Sequence, residues 1–232
     1  MIEEPPILTI RDSFPRPTKE QVDAFRGVPT GFICDAMNGQ GALASSIAPL
    51  GFGRDTKCEA VGVALVADNG PAEILGTMAA LHIMQAGDII VAAVHGHRNC
   101  SVSGDQFCGM LKNKGAAGFV TDGEMRDYEG IIETGLPVWC AGLSPNSPYA
   151  NGPAKVGFGA VVGGRQVTSG DIIVADRNGV VVVPYAEIDA VIAQVAHVKS
   201  LEDALEAKVK SGFCRMEAIE QMIADGRAVV VK

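Results

Sequence analysis

Gly87-Asp88-Ile89-Ile90-Val91-Ala92 decides the fold of this chain, because the same six residues return as Gly170-Asp171-Ile172-Ile173-Val174-Ala175. In each copy the Gly-Asp pair is typical of a turn, and the apolar run after it is typical of a buried strand. Two identical strand entries indicate a barrel or a layered sheet with related edges, although one repeated hexapeptide does not establish a duplication.

Strands and helices alternate on both sides of this repeat. Short β-branched runs predict strands, and apolar residues three and four positions apart predict helices. The further predicted strands are 58–68, 118–121, 136–141, 156–162 and 179–183, with a tight turn at Asn178-Gly179. The predicted helices begin at Thr18, where Gln21 stands in capping-box register, and at Thr30, and then span 71–85, 105–114, 186–210 and 216–224. Helices around many short strands indicate an α/β or α+β domain.

The whole chain, 1–232, is predicted to be a single domain, because no change of composition marks a boundary. Residues 1–17 form a proline-containing extended arm, residues 18–184 the core, and residues 185–232 a helical extension at the carboxyl end.

Charge and hydropathy exclude several classes of protein. Hydrophobic residues make up 47% of the chain, and the net charge of −8 argues against nucleic acid as the main partner. No apolar run approaches the roughly 20 residues that span a bilayer, and the first residues lack the pattern of a signal peptide. Six cysteines without CxxC spacing indicate reduced thiols. We expect a cytoplasmic protein that binds neither membrane nor nucleic acid.

The densest polar cluster, Asp122-Gly123-Glu124-Met125-Arg126-Asp127, follows the predicted strand 118–121. The strand would deliver Arg126 and Asp127 to its carboxyl end, where ligand sites of α/β proteins usually lie. The planar fork of arginine suits a carboxylate, and an aspartate oxygen suits Mg²⁺ or Mn²⁺. Taken alone, an Arg-Asp pair is more often a solvated surface pair, so the dipeptide needs support from elsewhere.

A second polar turn, Gly104-Asp105, precedes a predicted helix. The free backbone N–H groups of Gln106 and Phe107 at the start of that helix would form a seat for an anion. Asp105 either caps the helix or reaches towards a metal, and both interpretations stay open.

Two histidines, His95 and His97, alternate at the end of the first repeat strand. Alternation would place both on one side, which suits a metal. Without a third ligand such a pair binds a transition metal weakly, so a place on the surface or at the rim of a substrate site is the preferred interpretation.

The spacing of the polar groups resembles a known family. Asp105 is followed after twenty residues by Arg126-Asp127, as in the 4-hydroxy-4-methyl-2-oxoglutarate and 4-carboxy-4-hydroxy-2-oxoadipate aldolases. These are class II pyruvate aldolases related to the regulator of ribonuclease activity A. The resemblance runs from Thr30 to Pro184 and also includes Asp35-Ala36-Met37, the GDIIV strand entries, Asp122-Gly123, Leu136-Pro137-Val138 and Asp176-x-x-Gly179-Val180-Val181. It implies a layered β/β/α, barrel-like core with helices at the carboxyl end.

The resemblance also implies a site and a reaction. Asp127 would hold Mg²⁺ or Mn²⁺, Arg126 would bind the carboxylate and keto-oxygen region of pyruvate, and Asp105 would orient metal-bound water. The reaction would be retro-aldol cleavage of a 4-hydroxy-2-oxo di- or tricarboxylic acid to pyruvate and a second oxo acid, with decarboxylation of oxaloacetate as a side activity. The implied substrate-binding residues are Arg126, Gly104, Gln106 and Phe107.

The resemblance finally implies an assembly. In these aldolases trimers and hexamers are usual, and a glutamate from the carboxyl-terminal region of a neighbouring subunit completes the water shell of the metal. Glu202 is the better match here and Glu206 the second, although each is equally compatible with a solvated helix face. We expect a homotrimer or homohexamer.

Two other functions compete with this interpretation. One is a regulator that binds a ribonuclease without catalysis; in the family, the aspartate at position 105 tends to separate aldolases from such regulators and therefore favours an enzyme. The other is a methyltransferase, which lacks support because no glycine-rich methyl-donor loop is followed by an acidic strand end.

Overall fold

Both copies of the repeated hexapeptide form strands of one large sheet in the computed structural model, which describes residue 4 and residues 6–231. The strands are β1 (Leu8–Ile10), β2 (Ala48–Pro49), β3 (Ala60–Asp68), β4 (Asp88–Ala93), β5 (Ser101–Ser103), β6 (Gly118–Thr121), β7 (Glu124–Met125), β8 (Val138–Cys140), β9 (Ala154–Val156), β10 (Gly159–Val162), β11 (Arg165–Thr168), β12 (Ile172–Asp176) and β13 (Gly179–Val183). The α-helices are α1 (Lys19–Asp23), α2 (Thr30–Ala36), α3 (Leu75–Ile83), α4 (Asp105–Asn113), α5 (Tyr128–Thr134), α6 (Ile188–Lys210) and α7 (Glu217–Ala224), and 3₁₀ turns span Leu50–Gly53 and Tyr185–Glu187.

The main sheet has a parallel centre. Its order is β1-β9-β3-β4-β6-β8-β2, and the four strands β3, β4, β6 and β8 run parallel to one another. The second repeat strand, β12, instead pairs antiparallel with both β3 and β13. Because parallel strands end at the same edge, the segments that follow β4 and β6 come together at the carboxyl edge of the sheet.

Alternating side chains of the strands build the layers. Ile90 and Ala92 of β4 pack in a core with α3, α4 and α5, whereas Ile89 and Val91 pack on the opposite face with residues of β10 to β13. Val174 of β12 belongs to a third core, with α1, α2 and the start of α6. Strands buried on both faces explain the unbroken apolar runs of the repeat. The predicted layered β/β/α, α/β fold is confirmed.

Most predicted elements are present, with differences that have local causes. The capping box of Thr18 and the turn between Asp176 and Gly179 are confirmed. The predicted strand 156–162 is wrong, because the chain turns at Gly157 (φ 83°) and forms β9 and β10 instead. A Cβ at Gly157 would lie 2.0 Å from the carbonyl oxygen of Arg11, so glycine permits this close approach.

The predicted arm is attached to the sheet over its described part. Residues 1–3 and 5 lie outside the described residues. Beyond them, β1 pairs with β9, and Arg16 donates from both terminal nitrogens to Asp88, each at 2.8 Å. The first aspartate of the repeat therefore holds the arm.

The chain divides by its contacts into two compact units, one ending at Val195 and one beginning at Ala196. The first contains the sheet and its three cores. The second contains the rest of α6 and all of α7, and among its described residues, 196–231, only Val198 is buried. Over residue 4 and residues 6–231, no helix combines the length and apolar character needed to cross a membrane.

Candidate functional site

The small parallel pair of β5 and β7 brings together the two polar turns of the sequence. The backbone N–H of Arg126 donates to the carbonyl of Ser103 at 3.1 Å. Gly104 follows β5 and begins α4, while Asp127 follows β7 and begins α5. The start of α4 and the Arg126-Asp127 pair thus lie side by side, an arrangement that the family resemblance implies. Between Asp122 and Arg126, however, the chain forms a short strand that was not predicted.

Asp127 adopts a backbone conformation that few residues with a side chain adopt. Its φ of 60° and ψ of 49° are left-handed, which is uncommon except for glycine, asparagine and aspartate. A Cβ placed on Gly104 would lie 2.2 Å from Oδ2 of Asp127. Position 104 must therefore be glycine for the carboxylate to stand where it does. Non-glycine residues in such conformations are frequent at functional sites.

Arg126 is oriented by two neighbours. Its Nη1 donates to Oγ of Ser147 at 2.8 Å, and its Nε lies 3.4 Å from Oδ2 of Asp127. The side chains of Arg126 and Asp127 are 39% and 44% exposed, so both can meet a ligand from solvent. These two contacts use Nη1 and Nε, so the N–H groups of Nη2 remain for a ligand such as a carboxylate.

These groups line a cavity of about 280 Å³, which has room for a small organic acid. Its walls come from β5, the start of α4, the Arg126-Asp127 pair and the loop that follows β8. The lining residues are Ile74, Ser101, Ser103, Gly104, Asp105, Gln106, Phe107, Arg126, Asp127, Ser147 and Pro148.

At the start of α4, the backbone N–H groups are not all free to bind an anion, as they were in the predicted anion seat. Gly104 is the N-cap residue, and no side chain caps the helix. The N–H of Gln106 donates to Oδ1 of Asp105 at 2.6 Å, so this amide is already partnered within the chain. Oδ2 of Asp105 faces α5, 2.6 Å from the place that a Cβ of Gly130 would take. Asp105 lines the cavity but neither caps its helix nor joins a cluster of metal ligands among the described residues.

The donor set suits a hydrated, hard cation better than a transition metal. Within residue 4 and residues 6–231, no group of three or more His, Cys, Asp or Glu side chains could hold an ion. Asp127 offers one partly exposed carboxylate. Mg²⁺ keeps several waters and is commonly bound through one or two carboxylates together with its substrate, so this residue fits it.

The carboxylates of the other acidic residues in the cluster are already bound by groups of the protein itself. Oδ1 and Oδ2 of Asp122 accept from the N–H groups of Val94 and Gly96 at 2.8 and 2.9 Å. Burial raises the pKa of Asp122, and these two hydrogen bonds oppose that shift. Glu124 pairs with Arg98 at 3.1 Å. Sequence proximity to Arg126 therefore does not make these carboxylates available.

The histidines lie in a turn rather than on a strand end, since β4 stops at Ala93. His95 has a φ of 56°, and its Nε2 is 2.8 Å from Oδ1 of Asp68. The N–H of His97 donates to the carbonyl of Val94 at 3.0 Å. The alternation on a strand is wrong, and His95 lines two cavities that do not include Arg126.

The buried thiols offer no nucleophile. Burial raises the pKa of Cys108 to about 12 and that of Cys140 to about 11, so both stay neutral at physiological pH. All six cysteines are free, as predicted.

Glu202 lies on α6 in the second compact unit and is half-buried. Glu206 is exposed and pairs with Lys210 at 2.5 Å. Among the described residues no ion pair includes Glu202, so its carboxylate has no competing cation of that kind.

Three serines that line the cavity, Ser101, Ser103 and Ser147, were missed in the sequence. Ser147 holds Arg126, and Ser103 lies in the cavity wall. For Ser103 a signal exists: in Ser101-Val102-Ser103 a valine stands between two serines, and such alternation is typical of a short strand with one polar face. Nothing local marks Ser147, because it reaches Arg126 from twenty-one residues away.

Fold and site together define an α/β protein of the RraA-like class, and comparison with known proteins identifies the family. Residues 30–182 match the model of the RraA-like family, described as Aldolase/RraA, and the chain belongs to that family. A relative from Halalkalibacterium halodurans, provisionally named a 4-hydroxy-4-methyl-2-oxoglutarate aldolase, is 29% identical over 203 residues, which is 87% of this chain and 95% of the relative. A relative from Aromatoleum aromaticum with the same provisional name is 31% identical over 96 residues, 41% of this chain and 60% of the relative.

Solved structures show the same fold. The RraAS2 protein of Streptomyces coelicolor, described as an unusual member of the RNase ES inhibitor RraA family, superposes with a TM-score of 0.70 at 26% identity, covering 84% of this chain and 99% of that one. An uncharacterized protein of Pseudomonas syringae superposes with a TM-score of 0.71 at 23% identity, covering 87% and 97%. The predicted resemblance is confirmed. These relatives include both provisional aldolases and ribonuclease inhibitors, so the family alone does not choose between them.

Proposed function

We propose that this chain is a divalent-metal-dependent lyase that cleaves a 4-hydroxy-2-oxo di- or tricarboxylic acid to pyruvate and a second oxo acid. The observation that carries the proposal is the meeting of Arg126, Asp127 and Gly104 at one cavity. Gly104 leaves the space that the carboxylate of Asp127 needs, and Arg126 is held with its guanidinium partly exposed beside it.

Each residue contributes a separate property to this chemistry. Arg126 binds the substrate carboxylate through two parallel hydrogen bonds and fixes the plane of the oxo acid. Asp127 holds Mg²⁺ or Mn²⁺, which when bound would polarise the keto oxygen as a Lewis acid. Phe107, which lines the same wall and is 8% exposed, excludes water from the reacting carbons. The same arrangement would serve decarboxylation of oxaloacetate.

A panel assay tests the proposal. Pyruvate release from 4-hydroxy-2-oxo acids and from oxaloacetate is measured with Mg²⁺, with Mn²⁺ and with EDTA. We expect activity that disappears with EDTA and returns with excess metal, because a single carboxylate with water ligands binds the ion exchangeably. Full release in EDTA would refute the metal role, and a lysine adduct trapped by borohydride would show Schiff-base chemistry instead.

A contribution from a second subunit belongs to the same proposal. We propose that the working unit is a homotrimer or homohexamer in which Glu202 of a neighbouring subunit completes the site. Inactive Asp127→Asn subunits are mixed with inactive Glu202→Gln subunits after dissociation and reassembly. Recovery of part of the activity supports shared sites. No recovery in verified mixed oligomers, or a monomer at working concentration, contradicts them, and Glu206→Gln serves as the matched control.

The second candidate function is a regulator that binds a ribonuclease. It is favoured by the likeness to RraAS2, which is described as a member of an RNase inhibitor family. A stable complex with a ribonuclease, together with no metal-dependent turnover of any oxo acid in the panel, would replace the lyase with this candidate.

A further inference from the structure

Ser103 has a place in the site that no comparison assigns to it. It is the last residue of β5 and is 3% exposed, and its carbonyl accepts the N–H of Arg126 at 3.1 Å. Val102 before it lies in the core formed with α3, α4 and α5, so the serine side chain belongs to the other face of the strand, where it lines the cavity. The backbone of Ser103 is therefore held next to Arg126 by this hydrogen bond, and Gly104 follows it directly in the chain.

The hydroxyl of Ser103 lacks a partner. Over the part of the chain that the structure describes, only Oγ of Ser103 and Oγ1 of Thr56 are buried side-chain oxygen or nitrogen atoms without a hydrogen bond. Ser101, two residues earlier on the same face, shows the usual arrangement, since its Oγ donates to the carbonyl of Asn146 at 2.9 Å. Buried polar groups are nearly always paired, and an unpaired one destabilises the fold. An unpaired hydroxyl in the wall of a ligand cavity is explained by a ligand that pairs with it.

The neighbourhood indicates which ligand. The guanidinium of Arg126 favours a negative charge in the cavity. A serine hydroxyl adds a neutral donor to it. We propose that Ser103 is a substrate-binding residue, whose hydroxyl turns into the cavity about its Cα–Cβ bond and donates to a carboxylate oxygen of the 2-oxo acid bound at Arg126. Serine changes between staggered conformations at little cost. The inference rests on the proposed lyase function.

The test compares the two unpaired hydroxyls of the described chain. Ser103→Ala and Thr56→Val each remove one, and neither should lower the melting temperature of the free protein, since no hydrogen bond is lost. Binding of oxalate, which resembles the enolate of pyruvate, is then measured by calorimetry in the presence of Mg²⁺. Ser103→Ala should weaken oxalate by about ten- to hundredfold, the range for a hydrogen bond to a charged group. Thr56→Val should bind as the wild type does, because Thr56 does not line this cavity.

The outcomes separate this inference from the function on which it rests. Equal oxalate affinity of the wild type and Ser103→Ala, in a protein that releases pyruvate, overturns the role of Ser103 alone. A lower melting temperature of Ser103→Ala with unchanged affinity shows a structural hydroxyl and also overturns it. If the wild type neither binds oxalate nor releases pyruvate, the lyase proposal fails and this inference falls with it. Should Ser103→Ala not fold, Ser103→Cys, whose thiol is larger than the hydroxyl and only a weak donor, should show the same loss.

Discussion

Asp122 and Asp127 stand five residues apart in the same segment, yet the fold uses them in opposite ways. Asp122 is 8% exposed, and both of its oxygens accept backbone N–H groups from the turn after β4. Asp127 is 44% exposed at its side chain and adopts a left-handed conformation, and its only ion pair among the described residues is with the Nε of Arg126 at 3.4 Å. The carboxylate of Asp122 connects the segment after β6 to the turn after β4, and the carboxylate of Asp127 remains open to solvent.

The difference teaches what makes a carboxylate available to a ligand. A carboxylate whose lone pairs are already taken by the backbone cannot ligate an ion without breaking those bonds, each of which costs about 1–3 kcal/mol to leave unmade. Exposure and free lone pairs, rather than a place in an acidic cluster, therefore mark Asp127 as the candidate ligand.

Neutralising each aspartate in turn tests which of the two carboxylates is available to a metal ion. Asp127→Asn keeps the size and tolerates the left-handed backbone, so we expect a nearly unchanged melting temperature. Loss of the ligand should lower kcat/KM for pyruvate release by about hundredfold or more, since Lewis-acid stabilisation amounts to several kcal/mol. Asp122→Asn should retain activation by Mg²⁺. Metal-activated turnover in Asp127→Asn but not in Asp122→Asn would reverse the two assignments.

Arg126 provides the next test, because it is the cation beside the open carboxylate. Arg126→Ala removes a charge-assisted contact of about 1.5–3 kcal/mol and should lower kcat/KM by about ten- to hundredfold. Arg126→Lys should recover only part of this, since an ammonium group cannot form the two parallel hydrogen bonds of a guanidinium. Near wild-type kcat/KM in a folded Arg126→Ala protein would show that the pair is a surface ion pair.

Much of the fold could be predicted from the sequence, because buried strands and helix starts have local signals. The repeat shows where this stops. Asp88 and Asp171 each accept the N–H of the residue three positions earlier, but Asp88 also binds Arg16, whereas Asp171 also accepts the N–H of Tyr185. The two strands are also parallel in one case and antiparallel in the other. Those partners lie outside the hexapeptide, so no property of its six residues could distinguish the copies.

The site divides in the same way. The Arg126-Asp127 pair and Gly104 could be placed together from their spacing and the family resemblance. The partnered state of Asp122 could not, because its donors, Val94 and Gly96, follow another strand. The role of Ser147 could not be predicted for the same reason, because its contact with Arg126 depends on how the loop after β8 returns to the site.

The free energy of unfolding, measured as a function of pH, tests the structural role of Asp122. Asp122→Asn replaces the carboxyl with an amide of similar size that does not titrate, so the deficit of the variant in the free energy of unfolding changes with pH only through the wild-type carboxyl. Burial raises the pKa of Asp122, so its carboxyl contributes stability that is fully present below its ordinary pKa and is lost as pH rises through the raised value. The deficit of the variant in urea unfolding should therefore shrink as the pH rises across that range. A deficit that grows with pH would contradict the raised pKa.

The smallest expected effect concerns Ser147, which holds the arginine beside the open carboxylate. Ser147→Ala removes the hydrogen bond to Nη1 of Arg126 and leaves the guanidinium itself in place. A single hydrogen bond of this kind is worth about 0.5–1.5 kcal/mol net, so kcat/KM should fall by roughly two- to tenfold, less than for Arg126→Ala. Because Ser147 acts through Arg126, its loss should have almost no further effect in the Arg126→Ala background, which a double-mutant cycle measures. Ser147→Thr, which keeps the hydroxyl, is the matched control and should restore most of the activity. Additive losses in the double variant would mean that Ser147 contacts the substrate directly, and the cation beside Asp127 would then be oriented by Asp127 alone.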